Sequence, residues 1–433
     1  MMISNFDAFQ IANQSGSELD NIRIKNFNIF KKKGFPSKKE ESWKYTDLKT
    51  ILHNNLNKLE VLNNKKTSQY HDKWLLKNFQ HNQIILVNGE FVSSTFSFED
   101  KDKIKTKPLR TVLKDKKNFK KIKEFFADQK NSLTSLNHAL VHDGIFLEIE
   151  ENYSFNKPLV IYNFFNKSSE NKIINNKCFI SLGRNSKLDV LEYYKTEDSI
   201  KYFNNTIHHY SIQENAILKK FSINKNLDNS YNYHLTNVKS YSNSIFENFL
   251  LSSGSSFLKN EIHCNLLGSY ASCFINGLIL LNNEQHHELK TNVNHSYEHC
   301  KSSQLVKSAL LDRSNGTYQG KIYVEKEAQK ADGYQLSKAL VLSENSEFNS
   351  KPELEIYADE VKCSHGSTTA NIDQNSIFYL MSRGLSKKQA NKILIEGFLS
   401  EAVETITNLN IKLLISKLLI KKINEIKFKT NED

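Results

Sequence analysis

The sequence predicts a mainly β protein. A parallel β-helix core over residues 136–376 sits between a mostly helical N-terminal region, 1–135, and a helical C-terminal region, 377–433. Three observations carry this prediction. From 136 onward, short runs rich in Ile, Val, Phe and Tyr follow one another with no long helical stretch between them, which disfavours βαβ winding. Polar breaks recur irregularly, roughly every 15–30 residues, as in coils stacked into a solenoid. After 376 the apolar period changes to about 3.6. An up-and-down sandwich is the alternative for the core. The chain has only 14 Gly and lacks the Gly-rich hairpin turns that fold prefers.

In chain order, segment 31–52, KKKGFPSKKEESWKYTDLKTIL, breaks at Gly34 and Pro36 and then gathers Trp43 and Tyr45 into a compact patch. Lys-rich runs at 101–122 read as solvated faces, and KIKEFFAD (121–128) as a short amphipathic stretch. The β runs are IFLEI (145–149), PLVIYNFF (158–165), KCFISL (177–182), KLDVLEYY (187–194) and AILKKFSI (216–223). SIFENFLL (244–251), CFINGLILL (273–281), KIYVE (321–325), YQLSKALVL (334–342) and LEIYADEV (354–361) follow. Breaks stand at Asn185-Ser186, Asn243-Ser244, Asn315-Gly316 and Asn345-Ser346. Ser386 is placed to cap a helix ending near Glu396, with Gly397 interrupting it and a second helix resuming at Phe398. Leu409, Leu413, Ile420 and Ile423 then mark an apolar stripe on a Lys-rich tail. Such helices are a natural cover for the unpaired edges at a solenoid end, and the stripe could also dock a partner.

A chain of 433 residues has room for two or three domains and a large core. With 39% apolar and 25% charged residues it is not a disordered chain. No apolar run approaches the roughly 18–20 residues of a membrane span. Met1 to Asp20 is mixed polar, carries acids, and does not read as a signal or transit peptide. The net charge of +11 rests on 54 Lys against 5 Arg. Nucleic-acid readers favour Arg, whose planar fork grips phosphates and guanine edges, so the charge reads as Lys spread over solvated surface. Five widely spaced cysteines, Cys178, Cys264, Cys273, Cys300 and Cys363, include no CxxC. They point to a reducing cytosol, not a disulfide framework, and away from a self-contained zinc or ferredoxin site.

Cys363-Ser364-His365 is the sharpest local candidate for chemistry. Alternate side chains on an extended strand share a face, so thiol and imidazole start about 6.6 Å apart at the backbone. A thiolate and an imidazole suit iron or zinc. Two ligands do not close a site, so a further ligand must come from elsewhere or from another chain. The competing reading is a buried Cys beside a hydrogen-bonded His. His295 and His299, followed by Cys300, would share a helix face, but their segment reads as strand and turn. His208-His209 and His286-His287 are adjacent pairs whose side chains diverge on a strand. No Gly-rich phosphate loop followed by Lys and Ser/Thr is present, so the chain should not hydrolyse ATP itself. No G-x-S-x-G elbow occurs.

GKIYVEKEAQKADGYQ, KPELEIYADEVKCSHG and FYLMSRGLSKKQA stand in that order within 289–403. This stretch resembles the SufB/SufD family of iron–sulfur cluster assembly proteins. The resemblance extends more weakly through ALVHDGIFLEI and Pro158. PSKKEESWKYTDL is similar to the N-terminal signature of the SufD branch, which the chain length and the Cys363-Ser364-His365 form also favour.

The resemblance implies a right-handed parallel β-helix between helical terminal regions. It implies a cytoplasmic, non-catalytic scaffold subunit that pairs with SufB, and two copies of the ATPase SufC, docked through C-terminal helices at about 377–425. A homodimer is plausible when the subunit is isolated, and neither nucleic acid nor membrane insertion is expected. ATP-driven SufC dimerisation would pull on both scaffold subunits and alter their interface. A nascent Fe–S cluster would form there, shared transiently with SufB and not bound permanently. His365 matches the family's candidate ligand, and Cys363 is a second, less secure participant. Cys178, Cys264, Cys273 and Cys300 read as core thiols, and Arg383 and Gly384 as fixing the junction between β-helix and helix. Ala370 departs from the family, whose members often have Gly there. Two other functions stay in view: a β-helix carbohydrate-active enzyme with a groove of acids and aromatics, and a Lys-rich nucleic-acid-binding protein with a continuous basic stripe.

Overall fold

The computed structural model describes residues 17–426, apart from 57, 63–68, 78, 128–130, 199 and 226–227. Its centre is a parallel β-solenoid of about seven turns, in which successive strands alternate between two ten-stranded sheets. Sheet one gains a parallel strand per coil from Asp143–Ile149 to Glu347–Ile356, and sheet two from Leu159–Phe165 to Lys362–Ala370.

The coil is set by its corners. Between a sheet-one strand and the next sheet-two strand the backbone turns through φ > 0 at Asn152, Asn185, Asn215, Asn243, Tyr270, His299 and Lys330, roughly 30 residues apart. Asn is the side chain that tolerates this left-handed region best after Gly. Each corner N–H is satisfied by the following coil: Asn185 N donates to Glu214 O, Asn215 N to Ser242 O and Asn243 N to Ser269 O, each at 3.0 Å. Side chains extend the ladder. Asn215 Nδ2 donates to Asn185 Oδ1 at 3.0 Å, and Asn185 Nδ2 to Asn152 Oδ1 at 2.7 Å. Farther along, Tyr270 and His299 stack with ring centroids 4.7 Å apart.

Next to these corners the interior is apolar, filled by Ile180, Leu188, Ile212, Leu218, Val238, Phe246, Cys264 and Cys273. Full burial stabilises each large aliphatic or aromatic side chain by about 1.5–3 kcal/mol. Deeper along the strands the interior becomes polar. The buried Glu192 carboxylate meets His208 Nδ1 at 2.8 Å and Lys220 Nζ at 2.9 Å, and accepts from Tyr210 at 2.9 Å and Ser222 at 3.1 Å. Burial alone would raise its pKa, but His208 and Lys220 outweigh burial and hold it well below the usual carboxylate range.

The terminal regions cover the outer faces of the sheets. Trp43, Leu48, Leu52, Phe27 and Phe30 pack on Phe203, Tyr233 and Phe257 of sheet one. On sheet two, helices Lys387–Val403 and Leu409–Glu425 press Ile395, Leu399, Ile411, Ile415 and Leu419 onto Phe249, Leu251 and Leu278. Ser386 caps the first of these helices through a reciprocal capping box with Gln389, as its position predicts.

Three expectations need correction. Gly397 does not interrupt the helix, which runs unbroken to Val403, because packing on sheet two outweighs the modest cost of an internal Gly. The C-terminal helices lie along the flank of the solenoid and do not cover its end. Consequently Leu409, Leu413 and Ile420 point outward, and the buried stripe is Ile411, Ile415, Leu419 and Ile423. The N-terminal region is helical but also contributes strands. Asn82–Val87 pairs parallel with Leu159–Phe165, and Ile104–Pro108 pairs antiparallel with Asp143–Ile149, which closes the first coil.

Candidate functional site

Lys362–Ala370 is the last strand of sheet two. Among the described residues it pairs with Asp332–Val341 alone, placing Cys363 opposite Gly333 and His365 opposite Gln335. Gly333, Gln335, Ser337 and Ala339 are the buried, inward positions of their strand. Cys363 and His365 therefore continue the interior columns one rung beyond the sealed core. Glu347–Ile356, the last strand of sheet one, stands across from them. Among the described residues no further coil lies above, so an inward direction at this rung faces outward from the rod end.

The two candidate ligands are not equivalent. His365 is exposed. No described residue makes a hydrogen bond or ion pair with its ring. Cys363 is half-buried and turned down into the rod. A Cβ on Gly333 would lie 3.3 Å from its Sγ, so the missing side chain at 333 makes room for the thiol. It joins a small apolar cluster of Ile322, Val324, Ala328, Ala331 and Ala358. Burial pushes the Cys363 thiol up from its ordinary pKa. Among the described residues no three His, Cys, Asp or Glu side chains gather to hold a metal ion. The end of the rod thus presents an open-sided imidazole, with a thiol withdrawn beside it.

The other sequence candidates have structural positions. His295 is buried, its Nε2 2.8 Å from Ser302 Oγ, and burial lowers its pKa to about 4. His299 occupies a coil corner, and the Cys300 thiol donates to Gly268 O at 3.3 Å. His287 faces inward and His286 outward. His287 Nε2 donates to Ser255 O at 2.8 Å, leaving Nδ1 to accept from Ser252 at 2.8 Å. Cys178, Cys264, Cys273 and Cys300 are buried, as expected of core thiols. Arg383 and Gly384 sit in the turn between two helices, after Gln374–Ser382, and not at the junction between solenoid and helix. Gly384 has φ 91° there, and the Arg383 guanidinium lies 5.3 Å over the Tyr379 ring.

Outside the rod end, large apolar side chains are exposed on helix Gln374–Ser382: Phe378, which is 74% accessible, with Tyr379 and Met381. Several lysines of the 101–123 run are paired with acids. Lys103 and Lys105 meet Glu150, Lys121 meets Glu148 and Lys123 meets Glu18, which breaks up the positive face. Among the described residues no helix is long and apolar enough to cross a membrane.

Known protein families match both the N-terminal region and the solenoid. The family model for the SUF system FeS cluster assembly, SufBD core domain, matches residues 164–398, and that for the SufBD protein N-terminal region matches 5–161. The chain belongs to the SufBD family. Relatives include the iron-sulfur cluster assembly protein SufD of Escherichia coli, 24% identical over 88% of this chain and 87% of that protein. The chloroplastic protein ABCI7 of Arabidopsis thaliana is 23% identical over 94% of this chain and 86% of its own length. The SufBD family protein slr0076 of Synechocystis is 22% identical over 86% and 84%. The SufBD core match spans the strand that carries Cys363 and His365 as well as the exposed helix Gln374–Ser382.

Proposed function

We propose that this SufBD-family chain is a non-catalytic, SufD-type scaffold subunit. It pairs with a SufB-type subunit in the cytosol and couples to a SufC-type ATPase while a nascent Fe–S cluster is built. The observation that carries this reading is the exposed His365 on a terminal strand. An unpaired strand edge offers a row of N–H and C=O groups to another chain. Imidazole is a good ligand for iron. A second chain docked on this edge would supply the missing ligands, so the cluster is cargo at a shared seam. Cys363 is the secondary candidate, because its thiol must turn out of an apolar cluster to reach that seam. The exposed Phe378, Tyr379 and Met381 suit the ATPase contact, since a large uncovered apolar patch is a common docking mark.

The test is anaerobic co-expression with SufB-type and SufC-type partners from one operon. A stable ternary complex is expected. His365→Ala should preserve that complex but lose most of its cluster absorbance. Phe378→Asp with Tyr379→Asp should release the ATPase while keeping the partner scaffold. Full cluster yield in the His365→Ala complex would remove the imidazole from the chemistry.

A further inference from the structure

We infer that Gln335 is a positioning residue for the His365 imidazole, an inference that rests on His365 being a cluster ligand. Gln335 stands opposite His365 on the adjacent parallel strand, about 4.8 Å away at the backbone and on the same inward face. It is fully buried. Its Nε2 donates across the rod to Glu353 O at 3.2 Å, tying sheet two to the terminal strand of sheet one.

A buried amide at this position needs a reason, because an unsatisfied polar group is costly to bury and a Leu would fill the space without that risk. Gln335 is the top of a polar column. The Tyr318 hydroxyl lies 3.5 Å from Gln335 Oε1 and 3.0 Å from Gln304 Oε1, and Thr291 Oγ1 also donates to Gln304. Gly320 opens the space for the column, since a Cβ there would overlap both Gln335 Oε1 and the Tyr318 hydroxyl. The column is tied to Glu353 O and to Tyr318, and its top residue stands opposite His365 in register. Bonded to Glu353, Gln335 ties its own strand, next to last in sheet two, to the last strand of sheet one. Held there, its amide limits the rotamers through which the ring one rung above presents a nitrogen at the seam.

The test uses the full-length chain labelled with [13Cε1]-histidine, its His365 signal identified by loss in His365→Ala. Gln335→Leu, with Gln335→Met as the second variant should Leu fail to fold, is expected to keep the unfolding midpoint near wild type. Either variant should move and broaden the His365 signal. In the reconstituted complex it should lower cluster yield by about tenfold, the scale of a lost outer-shell partner. Gln304→Leu, lower in the same column, should leave the His365 signal in place. An unchanged His365 signal in the Gln335 variants overturns the inference, as does an equal change in Gln304→Leu. Failure of the underlying reading is a separate result: full cluster yield in His365→Ala, whatever the spectra show.

Discussion

Lys259 and Glu288 are direct neighbours across two strands of sheet one and form a 2.6 Å ion pair with neither side chain exposed. The N-terminal region seals it. Lys259 Nζ donates to Ser42 O at 2.7 Å and sits 4.1 Å from the centre of the Trp43 ring. Thr46 Oγ1 donates to Glu288 at 2.7 Å and, having spent its only proton, accepts from His286 Nε2 at 2.8 Å. The SWKYT segment is therefore a clamp on the solenoid wall.

Lys259→Ala should strand the Glu288 charge under that clamp and cost about 3–5 kcal/mol. Replacing both partners, as in Lys259→Met with Glu288→Leu, should cost less than the sum of the single changes. Denaturant unfolding of the four chains in the cycle measures this. A loss below about 1 kcal/mol for Lys259→Ala would mean that water reaches the pair.

Acid should destabilise the fold well before the carboxylates titrate. Burial lowers the pKa of His234 and His287 to about 3, and of His286 and His295 to about 4. A folded-state pKa below the unfolded value near 6.5 means that the unfolded chain binds more protons between the two, so stability rises with pH across that window. The contribution is complete above about pH 6.5 and lost progressively on descent towards 3–4. Thermal melts from pH 8 to 4 should show a falling midpoint. His287→Gln should flatten the slope, and a pH-independent midpoint would contradict the burial of these rings.

Two residues on one C-terminal helix should separate packing from surface. Ile415 is fully buried against sheet two and Leu413 is 58% exposed. Ile415→Ala should cost about 2–5 kcal/mol, and Leu413→Asp less than about 0.5 kcal/mol. Hydrogen exchange over 409–425 reports the difference. Equal effects would refute the placement of this helix.

The corner ladder predicts a rank order at Asn215, whose φ is 57°. Gly should be tolerated, Ala should destabilise modestly, and Val should be worst, because a β-branched side chain is a steric outlier in this region. Unfolding midpoints of the three variants decide it, and Val equal to Gly would reject the argument.

The strands of sheet two were largely legible in the sequence, whereas sheet one was legible only towards its two ends. Leu159–Phe165, Lys187–Thr196, Ile217–Lys225, Ile245–Ser252 and Ser272–Leu281 read as apolar runs because both of their faces meet apolar side chains. Tyr202–Ile212, Ser230–Ser240, Phe257–Leu266 and His286–His295 went unread. They carry polar residues on both faces, and the partners that make those residues buriable come from remote segments. Asn205 Nδ2, for example, donates to Leu133 O and Asn175 Oδ1, each at 2.9 Å. Lys301–Leu310 of sheet two escaped for the same reason, since Lys307 reaches Phe398 O at 2.7 Å. At the rod end, Cys363 and His365 were visible as a motif. Gln335 carried no local signal, because its meaning lies in register.

By itself the amino-acid order determined the β-rich core, its helical flanks, the family, and the alternation that places Cys363 and His365 on one face. Local periodicity and ordered motifs suffice for these. Only the tertiary structure decided that the imidazole stands open while the thiol folds inward, that the C-terminal helices line a flank, and that an amide lies beneath His365. Those outcomes depend on which coil is last and on side chains some 30 residues apart sharing a rung, and stacking sets both.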